Sequence, residues 1–175
     1  MVSQNFESGI GFYAVANSTV RKVATHMDIT TEEADLLRET LAAVSADTRR
    51  AAEIFYDELF LRMPEARGLF VSDMTRQGDK LIGTLNAVVL RIQNWSSIET
   101  DVEELGLRHV AYGVRPEHYG PTGAALYEML QSVLGDSFTD AHRAAWEKAY
   151  EAIADAMINA VEKRKSASQA AVNSD

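Results

Sequence analysis

Tyr56, Gln77 and His109 are polar side chains set on otherwise apolar helical stripes. His109 follows Leu105 by four residues and Val102 by seven, so helical spacing turns it toward an apolar face. An imidazole in that position can be a core histidine bonded to a backbone carbonyl, or it can offer one ring nitrogen to a metal. Tyr56 belongs to the series Ala52, Phe55, Tyr56, Leu59 and Phe60 at i, i+3, i+4, i+7 and i+8. It reads as a core tyrosine with its hydroxyl at the edge, or as an inward hydrogen-bond donor. Gln77 lies one turn before Leu81 on the same face, as a surface residue near a helix start or as a second donor. A buried polar group without a partner costs about 1–3 kcal/mol. Three of them turned toward one core suggest a shared polar object inside.

The elements that must carry these residues are helices. Thr30, Thr31, Glu32 and Glu33 form a capping box ahead of Leu36, Leu37, Leu41 and Val44, which predicts a helix over 31–45. Asp47 opens a second helix, holding Tyr56. Pro64 begins a short turn with Leu69 and Phe70. A helix over about 74–94 carries Gln77 and the stripe Leu81, Leu85, Val88, Val89 and Ile92. Ser96 or Ser97 is expected to cap the helix of His109, whose first turns hold Glu99, Asp101, Glu103 and Glu104, acids that suit the helix dipole. Gly113 stops that helix and Pro116 opens the next, over about 116–134, with Leu126, Leu130, Val133 and Leu134. Thr139 caps a last helix with Trp146, Ala149, Tyr150, Ile153 and Met157 on its buried side. Residues 1–29 show no clean period and read as an N-terminal extension with room for a short helix. Residues 30–165 read as one helical domain, and 166–175 as a disordered tail. Strand alternation and internal repeats are absent, so the fold class is all-α.

The 175 residues suit one domain with a full core, and 46% of them are hydrophobic. A net charge of −9 offers no basic face for a nucleic acid and no attraction to an acidic membrane surface. No apolar run approaches the roughly 20 residues of a membrane span. Residues 1–25 lack the pattern of a signal peptide, so a cytoplasmic location is expected. Without cysteine there is no disulfide, thiolate site or thiol nucleophile. His26, His118 and His142 are scattered and expected at the surface, which does not suit a zinc site. No phosphate-binding glycine loop or nucleophile elbow is present. A haem with a gaseous ligand would satisfy Tyr56, Gln77 and His109 together.

From Thr30 to Lys165 the chain resembles a globin, specifically the bacterial single-domain globins and the haem domain of flavohaemoglobins. The resemblance is carried by Phe55-Tyr-Asp-Glu-Leu-Phe60, by Pro64 and Phe70, and by Gln77 followed by Leu81. Arg108-His-Val-Ala-Tyr-Gly-Val-Arg-Pro-Glu-His-Tyr119 and Ala145-Trp-Glu-Lys-Ala-Tyr150 complete it. It implies the globin fold around one haem b, with His109 as the proximal iron ligand and Tyr56 and Gln77 as the distal pair over the gas. Phe70 is implied to stack on the haem, Leu81 to line the distal side and Tyr119 to stand behind the proximal histidine. Lys80 and Arg108 stand where the family often meets the haem propionates. Flavohaemoglobins also buttress the proximal side with a helix-final glutamate; the matching position here is Val161, with Glu162 beside it. The sequence stops where a flavohaemoglobin continues into flavin and nicotinamide domains, so any reductase is expected to be an external one.

Tyrosine and glutamine both donate hydrogen bonds, and dioxygen held at ferrous iron presents a partly negative oxygen. In a dry apolar pocket those bonds should hold the gas and slow its release. The leading expectation is reversible binding of dioxygen and other diatomic gases. The alternatives are nitric oxide dioxygenase activity with a separate reductase, and gas sensing through a partner protein. The sequence leaves the oligomeric state open.

Overall fold

The computed structural model describes residues 28–70 and 73–173. Apart from 28 and 29, the expected N-terminal extension lies outside the described residues. Six α-helices follow one another: α1 Thr31–Ala46, α2 Thr48–Arg62, α3 Met74–Arg91, α4 Glu99–Ala111, α5 Tyr119–Leu134 and α6 Asp140–Val172. Short 3-10 turns at Pro64–Leu69, Trp95–Ser97, Pro116–His118 and Gly135–Ser137 join them, and no strand occurs among the described residues. The all-α expectation therefore holds.

The helix starts follow their capping residues. The Thr30 hydroxyl accepts from the Glu33 amide at 3.1 Å, while the Glu33 carboxylate accepts from the Thr30 amide at 2.8 Å. Asp47 and Asp73 cap α2 and α3 more simply, their carboxylates accepting from the Arg50 and Thr75 amides. α4 differs from expectation. Its N-cap is Ile98, without a side-chain bond, and Ser96 and Ser97 belong to the preceding turn. The Ser97 hydroxyl donates instead to the Asn94 carbonyl at 2.7 Å, which removes it from capping. α6 continues to Val172, past the expected end at Lys165. Residues 162–172 are exposed throughout, so this extension is helical without joining the core.

The core is a single apolar cluster, with Leu37, Leu41, Val44, Ile92, Ile98, Val102, Met129 and Leu130 almost wholly enclosed. α2 lies chiefly on α5 and α3, and α4 on α6. Glycines set the closest crossings. A Cβ added to Gly78 would stand 2.5 Å from the Ala52 Cβ, and one added to Gly106 would stand 2.6 Å from the Met157 carbonyl oxygen. No other residue lets α3 approach α2, or α4 approach α6, so nearly. On α3 the buried side holds Gly78, Ile82 and Val89, whereas Leu81, Leu85 and Val88 are only half-buried. The expected stripe is thus split between a core face and a face that remains open.

His118 and His142, expected at the surface, are both buried. Each folds back onto its own backbone. The His118 Nδ1 accepts from the Arg115 amide at 3.3 Å, and the His142 Nδ1 accepts from the Thr139 amide at 3.3 Å. His142 thereby fills the third place of a capping box usually held by glutamate or glutamine.

Candidate functional site

α4 ends on a glycine turn, and that turn fixes the surroundings of His109. The Gly113 amide donates to Val110 and the Val114 amide to His109, while Gly113 adopts φ +89°. The His109 ring is half-buried. Its Nδ1 lies 2.8 Å from the Leu105 carbonyl oxygen, an acceptor only, so Nδ1 carries the proton and donates. The lone pair of the imidazole then resides on Nε2, on the far side of the ring, free to bind a metal. Burial pushes the ring below its ordinary 6.5, with the adjacent Arg108 charge in the same direction and the Leu105 bond opposing. His109 is therefore held in the neutral, ligating form. Beside Leu105, Gly106 packs directly against Met157 of α6, with no room there for a Cβ.

Tyr56 occupies the middle of α2 and is 7% exposed. Its ring meets Phe55 edge-on at 5.1 Å and Phe70 edge-on at 5.2 Å, and stacks against Phe60 at 5.9 Å. Three aromatic contacts of this kind hold the ring in one orientation. Burial pushes the phenol up to about 12, so the hydroxyl keeps its proton and remains a donor. Gln77 is half-buried in the first turn of α3. The Ala52–Gly78 crossing lies one turn from Tyr56 and one residue from Gln77, and so brings both residues to the same helix pair. Leu81 follows Gln77 by one turn, half-buried against the core.

The end of the Pro64–Leu69 turn ties the surroundings of Tyr56 to α4. A Cβ at Gly113 would stand 3.3 Å from Leu69 Cδ2, so the turn leading into Phe70 touches the turn closing the His109 helix. On the following helix Tyr119 is half-buried, and burial raises its phenol to about 12. Its carbonyl accepts from the Tyr150 hydroxyl at 2.7 Å, and Gly123 leaves room for the Tyr150 ring. Lys80 and Arg108 are exposed, and Arg108 forms an ion pair with Glu104 at 3.7 Å. At the position matched to the family's proximal glutamate, Val161 is buried, while Glu162 is exposed and paired with Lys165 at 3.0 Å.

Sequence reasoning missed the close packing at Gly78 and Gly106 and the bond from Tyr150 to Tyr119. A glycine inside a strong helical pattern is the signal that could have found the first two. Tyr150, expected on the buried side of the last helix, gave no local sign of its bond, since its partner lies 31 residues away.

The residues fit a haem. One imidazole nitrogen is available, a protonated donor stands in an aromatic cluster, and Phe70, Leu81, Leu85, Val88, Leu105 and Tyr119 pack on the core while remaining part exposed. Among the described residues no group of His, Asp or Glu is gathered to hold a bare ion.

Comparison with known proteins agrees. Residues 52–157 match the family model described as Globin. A flavohemoprotein of Bacillus subtilis is 31% identical over 71% of this chain and 32% of its own length. One from Vibrio cholerae is 27% identical over 75% of this chain and 34% of its own length. The chain thus spans about a third of the length of these curated relatives. A bacterial globin of Campylobacter jejuni superposes with a TM-score of 0.67 at 25% identity, covering 78% of this chain and 99% of that one. An engineered carbene transferase, built on a protein provisionally described as a nitric oxide dioxygenase of Rhodothermus marinus, gives 0.67 at 27% identity over 84% and 99%. Among the described residues no helix is long and apolar enough to cross a membrane.

Proposed function

The chain belongs to the globin family, and on that premise we propose that it binds dioxygen reversibly, with His109 as proximal ligand and Tyr56 as principal distal donor. A haem held there would supply ferrous iron able to bind a diatomic gas. The observation that carries the reading is the His109 ring. Its Nδ1–H is spent on Leu105 at 2.8 Å, and burial keeps it neutral, so Nε2 is a ready ligand.

The protein's own groups account for the rest. Phe55, Phe60 and Phe70 hold the Tyr56 ring, so little side-chain entropy is lost when its hydroxyl donates. The amide of Gln77 is a second donor, on a longer side chain. Leu81, Leu85, Val88 and Phe70 supply apolar wall that keeps water from competing with those bonds. Exposed Lys80 would meet a propionate at the rim, and Arg108 would do so by exchanging its solvent-exposed pairing with Glu104. The proximal imidazole donates to a neutral carbonyl, and Val161 brings no charge to the matched position, so the ligand keeps ordinary imidazole character.

A second reading is nitric oxide dioxygenase activity with a separate reductase. It is favoured by the flavohemoprotein relatives and by the Rhodothermus marinus protein's description. The same Tyr56 and Gln77 serve both readings. Mixing the oxygenated protein rapidly with nitric oxide, then supplying a reductase, tests them. Fast loss of the oxygenated spectrum, nitrate formation and repeated turnover support the dioxygenase; absence of turnover leaves gas binding as the activity.

A further inference from the structure

Tyr56 also lies in the lining of a cleft of about 330 Å³ that opens between α2 and the start of α3. The buried part of this cleft is Ala52, Tyr56, Phe60 and Gly78, and Arg67, Met74 and Thr75 stand exposed around it. Ala52 and Gly78, between which there is no room for a further methyl, form part of its wall. Arg67 lies across it, with its guanidinium 4.5 Å from the centre of the Phe60 ring. The Tyr56 ring that lines the cleft is also the ring that meets Phe70 at 5.2 Å. A single aromatic side chain therefore belongs both to an opening at the surface and to the aromatic cluster of the gas site.

We propose that this cleft is the entrance through which small uncharged diatomic gases reach the pocket, with Arg67 as its lid. The proposal rests on the reading of Tyr56 as the distal donor. The chemistry of the cleft suits that class of solute. Its outer part carries charges of both signs, from Arg49, Glu53, Asp57, Arg67 and Asp79, whereas its buried part is aliphatic and aromatic. An ion crossing to the interior must give up its hydration against an apolar surface. A neutral diatomic molecule has little hydration to lose and can pass during the brief fluctuations that a close-packed aromatic cluster makes about its average arrangement. The guanidinium–ring contact of an exposed arginine is weak enough to open readily.

An entrance has a kinetic signature that a hydrogen-bond donor lacks. A barrier on the path slows arrival and departure by the same factor and leaves affinity unchanged. A donor acts mainly on departure. The test uses the full-length haem-loaded protein, with carbon monoxide association followed by flash photolysis and dissociation by ligand replacement. Arg67→Ala removes the lid, Thr75→Trp fills the cleft, and Leu90→Trp, on a residue 74% exposed near the far end of α3, is the control. Arg67→Ala should quicken both rates. Thr75→Trp should slow both by about tenfold, within the one to three decades over which association rates vary among variants of one site. Leu90→Trp should match the parent. Unchanged rates in both cleft variants, with normal haem content, overturn the entrance alone. So does an association change found only on substituting Gln77, which moves the entrance to that residue. Failure of the parent chain to take up haem overturns the haem reading, and this inference with it.

Discussion

Replacing Tyr56 with Phe removes one hydroxyl and little else. The ring is 7% exposed and fixed by Phe55, Phe60 and Phe70, so its packing survives the change. The hydroxyl titrates only near 12, so at neutral pH the parent protein always has the proton to donate. A hydrogen bond to a charged acceptor contributes roughly 1.5–3 kcal/mol. At about 1.4 kcal/mol per tenfold, loss of that bond should quicken dioxygen dissociation about tenfold to hundredfold. Carbon monoxide bears little charge on its outer atom and should respond far less. Gln77→Leu should have the smaller effect on dioxygen, because the half-buried glutamine has more rotamers to lose on donating. Stopped-flow dissociation of both gases from both variants is the assay. Equal, small changes for the two gases would refute donation by Tyr56 and leave it a core tyrosine. An oxygen effect confined to Gln77→Leu would reverse the ranking of the donors.

Three further outcomes are expected. His109→Ala should abolish stable haem incorporation or change the proximal ligand, read as haem content and the ferrous spectrum. Because burial holds His109 below 6.5, the unfolded chain takes up the proton first as pH falls. The stability that neutral His109 confers is thus complete above pH 6.5 and lost progressively below it. Haem release measured against a scavenging apoprotein should accelerate over the same range. Gly106→Ala places a methyl 2.6 Å from the Met157 carbonyl oxygen, so α4 and α6 must separate. A loss of about 1–3 kcal/mol in urea unfolding is expected for such overpacking.

Local patterns carried much of this account. The aromatic spacing around Tyr56, the capping residues Thr30, Asp47 and Thr139, and the Gly113 stop after His109 act within a turn or two of chain, and each forms the element it signals. Where two surfaces must be told apart, periodicity fails. Leu81, Leu85 and Val88 share an apolar stripe with Val89 and Ile92, yet only the latter two are buried. A wall facing a cofactor cavity and a wall facing the core have the same composition. The buried states of His118 and His142 were hidden for a different reason. Each engages its ring Nδ1 with a backbone amide three residues earlier, and a proline corner or a first helical turn reads as surface. The close crossings at Gly78 and Gly106 depend on Ala52 and Met157, which are remote in sequence. The helix over 166–172 continues α6 without any apolar stripe to announce it.

The central claim is a haem held by His109 that takes up and releases dioxygen. The most direct test is the absorption spectrum of the haem-loaded protein, reduced without oxygen, then exposed to oxygen, then cleared of it. The account predicts a ferrous spectrum of a single histidine ligand that shifts on oxygenation and returns on removal, with His109→Ala unable to complete the cycle. A protein that takes up no haem, or an identical cycle in His109→Ala, would contradict it.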